Sequence, residues 1–359
     1  MPGKRNKSAD ESFRDALSMI SPGTRLREAI SAILQSHTGA LLCFGPPKQL
    51  ADLSEGGVQL DAPATPQLLF ELSKMDGAII LSGDGSRVLF ANRFLKPDTA
   101  FASNETGTRH RAAERFAKQA KCMVIAVSER RASVTLFVHN HKHQLESITA
   151  LMNKAIQTLQ TMEKFMGGLR ESLRELSVRE FQDMVTIFDV CKPVQRYETV
   201  VRIGREMEPY ILELGSEGRL VELQLKELLQ TCEEATLVVR DYFKEPAKLN
   251  MEAVLEKLAE MDQQELINLG SISQLMGYNP NLRRVDTYLS PRGYRILAQT
   301  QRLTPQIIEN LVQRFGTLQQ IMRAPKEDLY EVEGVGEVLA ERVRVGLNLL
   351  QNQLALERR

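Results

Sequence analysis

The residue types best suited to chemistry lie in one stretch, Glu105–Ala120, where Thr108 is followed by Arg109, His110 and Arg111 and then by an alanine-rich pattern. This pattern predicts a helix with Thr108 as its N-cap. A helix N-terminus has free backbone N–H groups and a partial positive charge, which suits a phosphate. An arginine guanidinium can bind two phosphate oxygens at once. The stretch therefore predicts an anion site, although a capped and solvated helix start would contain the same residues.

A second polar residue, Asp76, directly precedes Gly77 and an apolar strand pattern. Its carboxylate is either a turn residue or a ligand for Mg²⁺ or Mn²⁺ that also activates a hydroxyl group, because hard cations prefer carboxylate oxygens. Gly77 would let a ligand approach the backbone closely. The segment Ser128–Arg131 separates two strand patterns and is either a charged turn or part of the same site. Strand ends in α/β sheets converge on ligands, which favours one shared site.

Three histidines alternate along the chain at His139, His141 and His143, so they would share one face of a strand. A metal site is possible there, but no carboxylate or cysteine nearby completes the ligand set, and a solvated strand end is the favoured interpretation. The four cysteines of the chain are far apart and show no metal-type spacing. Such scattered cysteines are typical of a protein in a reducing cytoplasm.

These polar segments belong to a region, residues 20–140, that mixes helix and strand patterns and predicts an α/β domain around one sheet. Thr24 and Thr65 are candidate N-caps of two helices that precede strands. The predicted strands are Ala40–Phe44, Asp76–Leu81, Arg87–Ala91, Met123–Val127 and Ser133–Val138.

From Gln144 to about residue 295 the pattern is almost entirely helical and predicts a helical bundle. Glycine and proline predict breaks between its helices. The predicted breaks lie near Gly167-Gly168, Lys192-Pro193, Gly215–Gly218 and Glu245-Pro246.

The last block of the chain, 304–351, is a set of short helical patterns. Thr304 precedes a proline and predicts a helix start, and Gly316 predicts the end of that helix. Gly334, Val335 and Gly336 form a tight turn before the last helix. Such a turn exposes backbone N–H groups that can hold a DNA phosphate without reading sequence, although plain helix packing would also explain the glycines.

Charge and hydropathy limit the possible partners. Lysine plus arginine and aspartate plus glutamate both number 46, so the formal net charge is zero and any nucleic-acid contact must be local. No apolar run approaches the roughly 20 residues that a transmembrane helix needs, so we expect no membrane partner.

At two places the sequence resembles the signature motifs of the diadenylate cyclase family. These are Asp76-Gly77-Ala78 and Gly107–Glu114, which reads Gly-Thr-Arg-His-Arg-Ala-Ala-Glu. The resemblance implies an α/β N-terminal domain with a mixed sheet flanked by helices, then an all-α linker bundle, then a C-terminal helix-hairpin-helix domain. The implied ranges are 1–145 for the catalytic domain, 146–298 for the linker and 299–359 for the DNA-binding domain.

The resemblance also implies the activity: condensation of two ATP molecules into cyclic di-3′,5′-AMP with release of two pyrophosphates, regulated by DNA structure in checkpoint signalling. It implies a homo-octamer in the bacterial cytoplasm, associated with the nucleoid, that binds branched DNA similar to a Holliday junction. By the same resemblance, Asp76 would hold Mg²⁺ or Mn²⁺ and act with Arg109 in catalysis. The implied nucleotide-binding residues are Gly77, Leu95, Thr108, Arg109, His110, Arg111, Ala112, Ser128 and Arg131, and the implied DNA-binding residues are Gly334, Val335 and Gly336.

Two other functions remain open from the residues alone. The chain could be a non-catalytic, nucleotide-sensing scaffold that binds DNA, or a different nucleotidyltransferase. No covalent nucleophile is needed for the cyclase reaction, because in-line attack on a phosphate depends on positioning and charge neutralisation. Incubation with ATP and a divalent cation separates the three possibilities.

Overall fold

The computed structural model describes residues 7–244, 251–281, 288–300 and 303–356. The chain divides into two compact units. The first consists of Met1–Ile156 and Met207–Glu222, and the second of Gln157–Glu206 and Leu223–Arg359. No helix in the described ranges is both long and apolar enough to cross a bilayer.

An eight-stranded mixed sheet forms the centre of the first unit. Its strands are β1 Ala40–Phe44, β2 Ser54–Glu55, β3 Val58–Pro63, β4 Ala78–Leu81, β5 Arg87–Leu95, β6 Met123–Ser128, β7 Ser133–Val138 and β8 His141–Gln144. The strand order is β2-β5-β4-β1-β6-β7-β8, with β3 paired to β5. Only β1 and β4 pair in parallel, whereas the other pairs are antiparallel. The predicted α/β domain with a mixed sheet is confirmed.

Helices cover both faces of this sheet, because alternate residues of the central strands point to opposite sides. The helices are α1 Lys7–Ile20, α2 Arg25–Gln35, α3 Pro47–Asp52, α4 Pro66–Ser73 and α5 Thr108–Ala120. On one face, Ile30 of α2 belongs to the same buried cluster as Ile125 of β6. On the other face, Phe116 of α5 shares a cluster with Val124, the preceding residue of β6. This packing fixes α5, which carries the predicted anion site, against the sheet.

The predicted strands and caps of this unit agree with the structure, with some differences at the edges. Thr24 and Thr65 cap their helices through their side chains, as predicted. Strand β5 continues to Leu95, four residues beyond its predicted end. The strands β2, β3 and β8 were not predicted. Few of their residues are buried, so they lack the apolar alternation that marks a strand in sequence.

The helical linker is also confirmed. Its helices are α6 Ile148–Gln182, α7 Ile187–Leu214, α8 Arg219–Thr231, α9 Glu233–Tyr242, α10 Met251–Glu260, α11 Gln263–Ile267 and α12 Leu269–Leu275. Residues of the second unit also form α13 Tyr294–Ala298, α14 Pro305–Phe315, α15 Leu318–Arg323, α16 Lys326–Tyr330 and α17 Glu337–Leu356.

Two of the four predicted linker breaks are wrong, and the one near Glu245-Pro246 lies outside the described residues. Gly167-Gly168 lies inside α6, where Arg196 donates a hydrogen bond to the Gly168 carbonyl. Lys192-Pro193 lies inside α7, between the buried residues Cys191 and Val194. Tertiary packing here outweighs the low helix propensity of glycine and proline. The chain turns instead between α6 and α7, where Asp183 has a φ of 55°. The break at Gly215–Gly218 is confirmed as a short 3₁₀ turn.

Helices α13 to α17 share one buried core. Thr304 caps α14 through its side chain, and Gly316 ends it with a φ of 78°, as predicted. Leu297 of α13 belongs to the same cluster as Leu311 of α14 and Val343 of α17. The core therefore contains residues on both sides of position 298.

Candidate active site

The sheet topology brings four strand ends to one edge. Gly39 precedes β1, and Asp76 with Gly77 precedes β4, which runs parallel to β1. Strand β5 is antiparallel to β4 and ends at Leu95, and β6 is antiparallel to β1 and ends at Ser128. Because β5, β4, β1 and β6 are consecutive in the sheet, these polar segments and Leu95 lie along the same edge.

The start of α5 differs by one residue from the prediction. Gly107, not Thr108, is the N-cap, and it offers no side-chain oxygen to the first N–H groups of the helix. The Gly107 carbonyl accepts a hydrogen bond from Arg111 N at 2.9 Å. Thr108 is the first residue of α5. Its hydroxyl therefore does not cap the helix and is available to a ligand. The uncapped turn retains the free N–H groups that favour an anion.

A cavity of about 380 Å³ opens beside this helix start. Four predicted nucleotide-binding residues line it, namely Leu95, Thr108, Arg111 and Ala112. The remaining lining residues, which the sequence reasoning did not identify, are Phe94, Lys96, Pro97 and Arg115. Phe94 has 67% of its surface exposed, which is high for an aromatic ring. The only indication in the sequence is that Phe94 directly precedes Leu95 on a strand. Side chains alternate along a strand, so the Phe94 ring points away from the core in which Leu95 is buried.

Asp76 and Gly77 form a tight turn at the start of β4. Gly77 has a φ of 97°, and a Cβ built there would lie 2.9 Å from the Arg93 carbonyl oxygen and 3.0 Å from the carbonyl carbon of Asn92. Only glycine fits this turn without strain. Asp76 is exposed, and no hydrogen bond links its carboxylate to another residue in the described ranges. The carboxylate is therefore open to solvent and to ligands.

The donor set at Asp76 fits a metal that arrives with its substrate. Within the described ranges, no group of three or more His, Cys, Asp or Glu residues is arranged to hold a metal ion. Mg²⁺ is usually held by one or two carboxylates together with substrate phosphates, without a complete protein cage. The single exposed carboxylate of Asp76 meets the protein's share of that requirement.

The cavity is not lined by the other predicted residues of the nucleotide site, which are Asp76, Gly77, Arg109, His110, Ser128 and Arg131. The Arg109 guanidinium lies against Gly39 at the start of β1. The His110 ring meets Phe137 edge-on, with 6.5 Å between ring centroids. Burial lowers the pKa of His110 below its usual value, so the imidazole is neutral near pH 7.

The turn after β6 carries the remaining predicted phosphate contacts. Arg131 donates its backbone N–H to the Ser128 hydroxyl, with the two atoms 3.3 Å apart, which closes the turn. The side chains of Glu129, Arg130 and Arg131 are exposed. The structure thus places two guanidinium groups and one carboxylate on an exposed turn at the edge of the sheet that carries Asp76.

The three histidines do not share a strand face. His139 lies in a turn with a φ of 52°, and β8 begins only at His141. His143 forms a hydrogen bond of 2.7 Å with Glu213, a residue at the end of α7. The backbone reverses between β7 and β8, which interrupts the alternation on which the prediction rested.

The predicted DNA-binding turn lies between α16 and α17. Gly334 has a φ of 83°, and Val335 is buried in the core of α13 to α17. The Gly336 carbonyl accepts hydrogen bonds from Leu339 N and Ala340 N at 3.0 Å each, so Gly336 occupies the cap position of α17. A Cβ at Gly336 would meet no atom within 4 Å.

The chain is similar to several known proteins. Residues 27–142 match the family model DAC, described as the nucleotide-binding region of the DisA bacterial checkpoint controller, and residues 145–284 match the linker region of the same controller. The chain is 45% identical over 345 residues to the DNA integrity scanning protein DisA of Carboxydothermus hydrogenoformans, covering 96% of this chain and 98% of the relative. It is 41% identical to that of Bacillus subtilis, covering 99% and 98%. A solved structure of DacA from Staphylococcus aureus, at 23% identity and a TM-score of 0.29, matches 39% of this chain and 91% of its own.

Proposed function

The chain belongs to the DisA family of DNA integrity scanning proteins, and we propose that its first unit joins two ATP molecules into cyclic di-3′,5′-AMP. Its nucleotide-binding domain makes it a diadenylate cyclase. In the proposed reaction, the 3′-oxygen of each ATP forms a bond to the α-phosphorus of the other. The bond from that phosphorus to the bridging oxygen breaks, and pyrophosphate leaves with the electron pair. Two such steps close the ring.

One observation carries the assignment of this site: the ends of β5, β4, β1 and β6 lie along one edge of the sheet, beside the uncapped start of α5. The α5 N–H groups and Thr108 would hold phosphate oxygens, and the exposed arginines of the helix and of the turn after β6 would add positive charge. Phe94 and Leu95 would contact the adenine ring, because an exposed aromatic ring at a cavity offers a stacking face.

Asp76 is the proposed acceptor of the 3′-hydroxyl proton and the proposed ligand of the divalent cation. A cation held by Asp76 and the phosphates would neutralise charge on the reacting phosphate. The chain's own residues position the nucleotide, since attack at an α-phosphate requires alignment more than covalent help.

The product contains two identical bonds from a 3′-oxygen to a phosphorus. One chain offers a single Asp76 and a single Arg109, which is enough to form one of these bonds at a time. We infer that two copies face each other during the reaction, as in the homo-octamer that the family resemblance implies. The exposed Phe94 and the open cavity beside it support a site that a second nucleotide can approach.

The assignment is tested with purified full-length protein, ATP and Mg²⁺ or Mn²⁺, with mass spectrometry of the product. Asp76→Asn keeps the shape of the side chain and removes its charge, so product formation should fall at least about 100-fold. Asp15→Asn, an exposed position on α1, is the matched control and should leave turnover unchanged. Full turnover by Asp76→Asn would contradict the proposed role, and absence of product from the wild type would contradict the proposed reaction.

We also propose that the turn Gly334–Gly336 binds DNA phosphates, as part of a helix-hairpin-helix module that recognises branched DNA. Val335 is buried and anchors the turn, so the backbone N–H groups of the turn would make the contacts. Such contacts are independent of base sequence and weaken with salt. This binding would place the protein at the nucleoid and connect the cyclase with DNA integrity.

A further inference from the structure

The guanidinium of Arg109 occupies the space that a side chain at position 39 would fill. A Cβ built on Gly39 would overlap the Arg109 Nη1 atom and would lie 3.1 Å from Cζ of the same guanidinium. The Val127 carbonyl oxygen lies 3.2 Å from the same point. Gly39 thus leaves a gap at the sheet edge, between the backbone of β1 and the end of β6, and the Arg109 guanidinium fills it.

Glycine is not required at position 39 for its backbone conformation. The φ of Gly39 lies outside the left-handed region, in contrast to Gly77, whose φ is 97°. Any small residue could adopt the backbone of Gly39 without strain, and alanine would even reduce the entropy of the unfolded chain. The structure therefore requires glycine at position 39 because it has no side chain, and not because of its backbone conformation.

Nothing else among the described residues fixes the Arg109 side chain. It is exposed, and within the described ranges its guanidinium forms no hydrogen bond or ion pair. Its neighbour Arg111 differs, because it donates hydrogen bonds to the carbonyls of Glu105 and Thr106. The position of the Arg109 guanidinium thus depends on its fit against Gly39, which keeps the five N–H donors available to a phosphate.

We propose that Gly39 is a positioning residue of the cyclase site, because the absence of its side chain places the Arg109 guanidinium at the edge where the nucleotide binds. This inference rests on the proposed function of that site. A methyl group at position 39 would push the far end of Arg109 away, while the backbone of β1 stays in place. A displacement of about 1 Å can cost up to about 100-fold in rate when a group must align with its substrate.

The first test is Gly39→Ala, with Gly83→Ala as its control. Gly83 lies in the turn between β4 and β5, has no positive φ, and a Cβ there would meet nothing within 4 Å. We expect Gly39→Ala to lower kcat about 10- to 100-fold and to weaken binding of a non-hydrolysable ATP analogue, with the midpoint of thermal unfolding nearly unchanged. Gly83→Ala should behave as the wild type. Unchanged turnover and binding in Gly39→Ala would overturn the proposal.

A double-mutant cycle with Arg109→Ala tests whether the effect passes through the arginine. In the Arg109→Ala background the overlap with the guanidinium is gone, and the nearest remaining atom to the new methyl group is the Val127 carbonyl oxygen, at 3.2 Å. Gly39→Ala should then cause little further loss of analogue binding or turnover. An additional loss of the same size as in the wild-type background would overturn the proposal. If Gly39→Ala alone fails to fold, the double variant should fold again, and its failure to do so would equally exclude Arg109 as the clashing group.

The results that would contradict the proposed function differ from those that would contradict the role of Gly39. A wild type that forms no product contradicts the reaction, whatever Gly39 does. An Arg109→Ala variant with unchanged turnover and analogue binding contradicts the role of the arginine. Only the comparison of the effect of Gly39→Ala in the wild-type and Arg109→Ala backgrounds tests the role of Gly39.

Discussion

At the scale of single residues, the candidate site depends on two glycines with different physical roles. Gly39 provides space for the Arg109 side chain, whereas Gly77 provides a backbone conformation that other residues rarely adopt. The turn at Gly77 also packs against the backbone of β5 at Asn92 and Arg93. Asp76 therefore takes its position from a turn that only glycine permits.

We expect Gly77→Ala to destabilise the first unit by about 1–3 kcal/mol, because it combines a strained φ with a backbone overlap. Turnover should fall as well, since Asp76 would move with the turn. Gly56→Ala is the matched control: Gly56 has a φ of 69°, but a Cβ there meets nothing within 4 Å. Urea unfolding and product formation measure both effects. Equal losses in the two variants would show that φ alone, and not the contact with β5, makes Gly77 necessary.

At the scale of elements, the second unit joins α6, α9 and α13 through a buried ionic cluster. Arg295 is fully buried and donates hydrogen bonds to Glu180 and to Ser177 of α6 and, at 2.9 Å, to Glu234 of α9. Asp241 of α9 accepts three backbone N–H bonds at the start of α13. Three carboxylates thus surround one guanidinium, and the helix that begins the C-terminal core is fixed to the linker helices.

This cluster predicts a dependence of stability on pH. Burial raises the pKa of Glu180 from 4.5 to about 7, and Arg295 opposes this shift only in part. Between these two values the folded state retains a proton that the unfolded state has released. The free energy of unfolding should therefore fall as the pH rises from about 4.5 to about 7, by up to about 3 kcal/mol.

Glu180→Gln removes the titrating group and keeps the shape of the side chain, so it should remove this part of the slope. Glu175→Gln, an exposed position on the same helix, should retain the wild-type slope. Urea unfolding of the full-length chain across this pH range measures the difference. Identical slopes for the wild type and Glu180→Gln would contradict a raised pKa at Glu180.

At the scale of the whole molecule, the two proposed functions lie in different units of one chain. The proposed cyclase site lies in the first unit and the proposed DNA-binding turn in the second. Because α13 and α14 to α17 share one core, a truncation near residue 298 would expose buried residues such as Leu297. A point substitution on the turn is therefore the cleaner test of DNA binding.

We expect Gly336→Asp to weaken binding of branched DNA at least about 10-fold, because a carboxylate would face the phosphates. Gly336→Asn is the matched control, since Asn and Asp are comparable N-cap residues and a Cβ has room at this position. Binding measured at several salt concentrations should show that Asn retains most of the affinity. Equal affinity of the Asp and Asn variants would move the DNA-binding site away from this turn.

The sequence by itself determined which residues could do chemistry and which class of element carries each of them. Thr65 and Thr304 cap their helices as predicted, and Gly316 ends its helix, because caps depend on a few neighbouring residues. The central strand β1 was predicted with its correct bounds, because all five of its residues are buried and apolar. The paired motifs at Asp76 and Arg109 identified the family for the same reason: each is a local pattern.

Only the tertiary structure decided what these residues contact. The helices continue through Gly167-Gly168 and Pro193 because packing against other helices compensates for weak local propensity. Phe94 lines the cavity because β5 continues past β4 and pairs with β2. Gly39 contacts Arg109 because α5 packs on the sheet, where Ala113 shares a buried cluster with Leu41 of β1. Such contacts join residues that are far apart in the chain, so no local pattern in the sequence records them.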